Sequence, residues 1–323
     1  MSNTVKHKTS VGGQALIEGI MMRGPKGNAM AVRMPDKSID VEIDHKLPLI
    51  KRNKFLGLPM IRGVVTFVDS MITGYGYLMK SADKSMTEEE KEESTSKLDK
   101  WLTEHMGEKM MGVIGLFSTV LGLALALFLF LWLPTTLFNL LNGIVSAELS
   151  KFRPLFEGVI KITVFVLYMF IVSRTPSIKR VFMYHGAEHK SIFCYENGLE
   201  LTVENVKKMK RFHPRCGTSF IFVILIISIL ISSILVLVFP NISANKWIWI
   251  LIKLAIIPLV MGIGYEFIRY AGKHENVCVR ILSAPGLLMQ RITTAEPTDD
   301  IIEVGIAALK AVITDNPEDD KLS

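Results

Sequence analysis

Only three cysteines occur in 323 residues: Cys194, Cys216 and Cys278. That excludes the dense spacing of a disulfide scaffold. All three fall on the side read below as cytoplasmic, where thiols stay reduced. The first ten residues, Met1 to Ser10, are polar. They lack the apolar core of a secretory signal, so none is expected ahead of the first span. No internal repeat is present. The formal net charge is +6, yet no basic-aromatic cluster or nucleic-acid motif accompanies it. Nucleic acid is therefore not an expected partner, whereas anionic membrane lipid is.

The absence that decides the class is of charge. Val113–Leu133 carries none over 21 residues, and Thr218–Phe239 none over 22. At 1.5 Å per residue each run is long enough for a hydrocarbon core of about 30 Å. Two further runs are interrupted. Leu155–Ser173 contains Glu157 and Lys161, an i,i+4 pair expected to neutralise itself near one helix end. Trp247–Ile268 contains Lys253 and Glu266, expected to snorkel toward the ends. The reading is four transmembrane helices. The alternative is two spans plus two buried helices.

Lysine and arginine set the orientation. Seventeen precede the first span, nine lie in the loop Arg174–Gly217, and five follow Gly272. The other two loops hold three: Lys151, Arg153 and Lys246. Thirty-one against three predicts that both termini and the middle loop are cytoplasmic. Uncharged first and third spans argue against an ion path and hence a transporter.

Around the spans the chain reads as a small α/β cap. In residues 12–44, GQALIEGIMMRG, AMAVRM and IDVEI are separated by turns at Pro25–Asn28 and Pro35–Lys37. A three-stranded β-meander is expected, too small to stand alone. Residues 59–80 form an amphipathic helix, with Ile61, Val64, Val65, Val68, Met71, Ile72, Tyr75, Leu78 and Met79 on one stripe. That stripe suits either the membrane interface or the open face of the meander. The division in chain order is a β-meander (1–58), an amphipathic helix with a charged linker (59–109), four spans with the loop 174–217 (110–272), and a helical tail (273–323). The tail should end in a capped amphipathic helix reaching about Ile313.

What the sequence has is a histidine cluster. Three of its seven histidines, His185, His189 and His213, and two of its cysteines lie within residues 185–216. His185, Glu188 and His189 spell H-x-x-E-H. On a helix the two imidazoles stand one turn apart on one face, a spacing that lets both reach one zinc ion. Glu188, on the adjacent edge, is placed to act as base without being a ligand. By chance such a match arises in a chain of this composition about once in a hundred. A third ligand is left open between His213, Cys216 and Glu266, with Glu18 more distant. Gly186 weakens the helix at this point. The alternative reading is a hydrogen-bonded network with Arg180, Lys190 and Arg215. Cys194 reads as a small buried residue.

VGGQALIEGIMMRGP (11–25), RGV (62–64), YHGAEHK (184–190), LTVEN (201–205), HPRCGTSF (213–220) and PGLLMQRITTAEP (285–297) together resemble the YqhQ-like bacterial membrane proteins. That family is known mainly as a domain of unknown function, sometimes labelled predicted metal-dependent enzymes. The resemblance covers nearly the whole chain. It implies a multi-pass protein of the bacterial cytoplasmic membrane and supplies neither substrate nor reaction. Gln14, Glu18, Arg23, Arg62, Gln290 and Arg291 are polar groups in otherwise apolar parts of these motifs. Either they help close one cytoplasmic site or they pair to hold the fold. The leading expectation is a metal-dependent membrane enzyme of the hydrolase class, its metal a divalent cation with zinc the first choice. In it His185, His189 and one of His213 or Cys216 hold the metal, and Glu188 is the catalytic base. The other expectation is a non-catalytic scaffold for the assembly or regulation of other membrane proteins.

Overall fold

The structure is a computed structural model, and it describes residues 7–45, 49–87, 108–144, 151–274, 276–314 and 316–321. Most of the charged linker therefore lies outside the described residues. The chain divides into two compact units built from interleaved segments. One contains residues 1–86, 169–224 and 261–323, and the other residues 87–168 and 225–260.

The first unit is organised by a four-stranded antiparallel sheet in the order β1-β2-β3-β4: Gly12–Leu16, Gly19–Gly24, Gly27–Arg33 and Ile39–Asp44. This corrects the three-stranded expectation. GQALIEGIMMRG folds back on itself at Ile17-Glu18, where Leu16 pairs with Gly19. No Asn-Gly or Asp-Gly announces this turn. Glu18 takes a left-handed φ of 50°. That conformation is costly for a residue with a Cβ. Arg180 and Tyr184 hold the Glu18 carboxylate and offset the cost.

Both faces of the sheet are covered. Ile20, Met22, Ala29 and Ala31 pack with Tyr184, Ala187, Ile301, Ile302 and Leu309. These partners lie on α5 (Pro176–Glu196) and α10 (Asp299–Val312). Asp299 and Asp300 begin α10, where acidic side chains suit the helix dipole. On the other face Leu16, Met21, Met30 and Val32 meet Tyr77 and Leu78 of α1 (Ile61–Ser85). So α1 does cover the sheet, but only with part of its stripe. Val68, Met71, Ile72, Tyr75 and Met79 remain exposed. Lys84 bonds Asp40 and Glu42 of β4, fixing the end of α1.

Four helices are long and apolar enough to cross a membrane: Thr119–Asn142, Arg153–Val172, Phe220–Val238 and Lys246–Lys273. The first combines α2 (Glu108–Leu127), a π-turn at Phe128–Trp132 and α3 (Leu133–Asn142). Pro134 explains the π-turn, because it removes one backbone donor from the helical ladder. The others are α4 (Arg153–Val172), α7 (Gly217–Val238) and α8 (Lys246–Lys273). Between α5 and α7 lies the short α6 (Val203–Lys207), and α9 (Val277–Thr293) precedes α10.

In the second unit the interrupting charges pair differently from the expectation. The Glu157 carboxylate accepts from Arg153 Nε at 3.0 Å, from Trp249 Nε1 at 3.2 Å and from Lys253. Lys253 also donates to Thr135 Oγ1 at 2.8 Å and is 4% exposed, so it does not snorkel. Unpaired charge deep in apolar surroundings is costly, and pairing between helices removes more of that cost than a long side chain reaching for an end.

Candidate metal centre

Helix α5 carries the motif, and its neighbours fix the register. Ala295 N–H bonds Phe182 O at 2.8 Å, drawing the segment after α9 across the helix. A Cβ on Gly186 would collide with Ala295 O. The residue that weakens the helix is thus what lets the two backbones touch. Gln290 reaches from α9 to the turn before α7. It accepts from His213 N–H at 2.7 Å and donates to His213 O at 2.8 Å, holding His213-Pro214-Arg215-Cys216 in place.

These supports bring His185, His189 and Cys216 together, with one donor atom from each within 4.8 Å of the others. His185 Nδ1–H donates to Thr293 O at 2.8 Å, and His189 Nδ1–H donates to Arg211 O at 2.5 Å. A carbonyl can only accept, so both Nδ1 atoms carry the proton, which leaves Nε2 as the nitrogen able to ligate a metal in each ring. Such bonds are the usual outer support of a metal-bound imidazole. His185 Nε2 lies 3.2 Å from Cys216 Sγ, which also meets Thr218 Oγ1 at 3.3 Å. Two imidazole nitrogens and a thiol suit zinc, and three protein ligands leave one position open.

His213 stands apart from this donor set. Its Nδ1 accepts from Arg215 N–H at 3.3 Å, and its Nε2 lies 3.7 Å from Glu196 Oε2. Burial pushes its pKa down to about 4. Burial raises the Glu196 carboxyl, but His213 and Arg215 more than offset this and hold it below its ordinary value. Glu196 also accepts from Thr9 N–H at 3.0 Å. Glu266 is engaged elsewhere by Arg62 and by Met60 N–H, and Glu18 by Arg180 and Tyr184. Neither joins the cluster.

Glu188 is 5% exposed. Burial raises its pKa, offset in part by His185 and by the nearby backbone N–H of Gly13. A Cβ on Gly13 would stand 2.8 Å from Met22 Sδ and 3.1 Å from Glu188 Cδ. Gly13 therefore lets β1 approach the acid. A cavity of about 360 Å³ opens here, lined by β1, by one face of α5 and by the turn 213–218. Gln14 and Arg23 project from the opposite face of the sheet: Gln14 meets Gly74, and Arg23 Nε donates to Asn28 Oδ1 at 2.9 Å.

Sequence reasoning missed Gly13, Glu196 and the carbonyls of Thr293 and Arg211. Glu196 was findable, since it lies seven residues after His189 on the same helical face. Backbone acceptors carry no sequence signal.

A mainly helical chain with four membrane-length helices and a sheet-backed His/His/Cys cluster is the class these observations define. The chain belongs to the family described as "Protein of unknown function (DUF1385)", which matches residues 58–315. It is 33% identical over 320 residues to the "Uncharacterized protein YqhQ" of Bacillus subtilis (strain 168), covering 95% of this chain and 94% of that protein. No solved structure matches.

Proposed function

We propose that this chain is a zinc-dependent hydrolase acting at the cytoplasmic surface of the bacterial membrane. His185, His189 and Cys216 hold the ion, and Glu188 is the general base. The observation that carries the reading is the bonding of both Nδ1 atoms to carbonyls, which leaves each Nε2 as the nitrogen able to ligate, with a thiol close by and a buried acid beside them. A zinc ion there supplies a Lewis acid that acidifies water. Glu188, its proton affinity raised by burial, takes a proton and returns it to the leaving group. Thr218 and the two carbonyls orient the donors, and Gly13 N–H orients the base. His213, Glu196 and Arg215 brace the turn that carries Cys216.

The bias of basic residues, 31 against three, supports cytoplasmic termini and a cytoplasmic middle loop. The exposed stripe of α1 supports membrane lipid as a contact. Impermeant thiol labelling of intact cells tests the orientation in a cysteine-free background. A cysteine at Asn241 should react, and cysteines at Ser38 and Asn197 should not. Labelling at Asn197 contradicts the orientation.

A ligand and a base fail differently. His185→Ala should empty the site of zinc. Glu188→Gln should keep zinc while hydrolysis of an activated ester such as p-nitrophenyl acetate falls by about 10²–10⁴-fold. A zinc-bound Glu188→Gln protein that complements a deletion strain fully would make the metal structural and favour the scaffold reading.

A further inference from the structure

The cavity beside the cluster has a wall with its own chemistry. Five consecutive residues of one strand segment, Val11 to Ala15, line it. β1 is at the edge of the sheet, so among the described residues no strand neighbours one side of Gly12–Leu16, the bridge Thr9↔Lys321 lying just before it. The register shows which groups face that side. A two-residue turn closes on the pair Leu16↔Gly19, and in such a turn the closing residues exchange both hydrogen bonds. Hydrogen-bonded pairs then recur every second residue, at Gln14↔Met21 and Gly12↔Arg23. Gly13 and Ala15 therefore direct their N–H and C=O groups away from β2. The next hairpin agrees. Gly24 closes on Gly27, so even-numbered residues of β2 bond β3 and odd-numbered ones bond β1.

Of these outward groups, the Gly13 N–H lies beside the Glu188 side chain. Among the described residues no backbone partner takes the Ala15 N–H or C=O. A strand edge with a donor and an acceptor about two residues from the base is a template for an added strand. Ala15 lies roughly 7 Å from Gly13 at the usual rise per residue. A chain paired with Ala15 needs only one or two more residues to bring a carbonyl to the cluster. The cavity, about 360 Å³, is at the small end of ligand sites and suits a short stretch of chain.

We infer that the substrate is an extended peptide, which adds as a strand to the outer edge of β1 and presents one amide carbonyl to His185, His189, Cys216 and Glu188. The inference rests on the hydrolase reading above and deepens it. Water adds across the amide bond: its oxygen joins the acyl carbon, the C–N bond breaks, and Glu188 carries one proton to the departing nitrogen. No oxidant or further reactant is needed. Recognition comes from the peptide backbone, so it alternates along the substrate. Amides that face β1 matter, and those that face away do not.

The test uses the full-length zinc-loaded protein in detergent with a library of N-acetylated, C-amidated hexapeptides. Cleavage is read by mass spectrometry, binding by anisotropy of labelled peptides, and p-nitrophenyl acetate reports the cluster chemistry without any strand pairing. N-methylation is then stepped through each amide of a responding peptide. The expected result is a period of two, with KM rising at least tenfold at alternate amides and unchanged between them. Ala15→Pro, which removes only an outward N–H, should raise KM for the peptide by a similar factor with zinc content unaltered. Glu188-dependent ester hydrolysis with no peptide bound or cut overturns the peptide inference and leaves the hydrolase reading standing. Alternating sensitivity of peptide binding in a protein that holds no zinc and cuts no ester supports the strand edge and ends the hydrolase reading. Peptide cleavage without any alternation overturns pairing on β1.

Discussion

Two of the buried polar clusters among the described residues are opposites. Around Glu157 opposite charges are paired: Arg153, Trp249 and Lys253 all donate to one carboxylate, and Lys253 is shared with Thr135. Around His185 the two Nδ1 atoms are spent on the fold, and the remaining donors lie close together. Both Nδ1 atoms are committed to carbonyls, while the His185, His189 and Cys216 side chains come together beside a cavity. The first pattern describes a structural device, and the second a set of groups able to ligate a metal. Burial alone distinguishes nothing here, since Glu157 is 1% exposed and His189 2% exposed. What separates them is chemistry: one pairs a carboxylate with two cations, and the other gathers three side chains that can each give a lone pair to a metal.

The contrast breaks most visibly through Glu157. Glu157→Leu leaves Arg153 and Lys253 buried without their counter-charge, and should cost about 3–5 kcal/mol by the usual penalty for a broken buried pair. Thermal unfolding in detergent measures it. Adding Lys253→Leu should recover part of the loss, because the second change removes one stranded charge. His185→Ala serves as the contrast: it should lower stability far less in metal-free protein. Equal losses at the two sites would show that the histidine cluster is a structural network like the other.

Gly186→Ala comes next. The new methyl meets the Ala295 carbonyl and should cost about 1–3 kcal/mol as overpacking, while shifting the segment whose Thr293 carbonyl holds His185. Zinc affinity and melting temperature should fall together. Gln290→Leu follows. It strands two buried backbone groups of His213, at about 1–3 kcal/mol, and loosens the turn that carries Cys216. The smallest effect is one of reactivity. Burial pushes the Cys194 thiol up to about 11, so at pH 8 it stays protonated and resists iodoacetamide until the protein is denatured. Cys216 should be shielded by zinc and become reactive when a chelator is added. Cys216 labelling that ignores the chelator would remove it from the donor set.

Much of this was legible in the sequence. Charge-free runs defined the long helices, and a four-residue spacing set His185 and His189 on one face. The hairpin at Ile17-Glu18 was not legible, because its turn is stabilised by Arg180, 162 residues away, rather than by a local turn residue. The partners of Lys253 were hidden for a related reason: Glu157 lies on another helix, and spacing within one helix cannot report a meeting of two. The choice between His213 and Cys216 needed the direction of each ring. His213 turns both nitrogens toward Arg215 and Glu196, which no spacing rule reveals. Gly13 was visible as a letter but not as a role, since its importance lies in the acid that approaches it across the fold.

The central claim is that two imidazoles and one thiolate form an open zinc site. Zinc-edge X-ray absorption on the purified wild-type protein tests it most directly, after its metal content is counted. The expected result is one zinc per chain, with one sulfur at about 2.3 Å and two imidazole nitrogens at about 2.0–2.1 Å completed by a lighter ligand. A protein that takes up no stoichiometric zinc, or a zinc shell without sulfur, would contradict it.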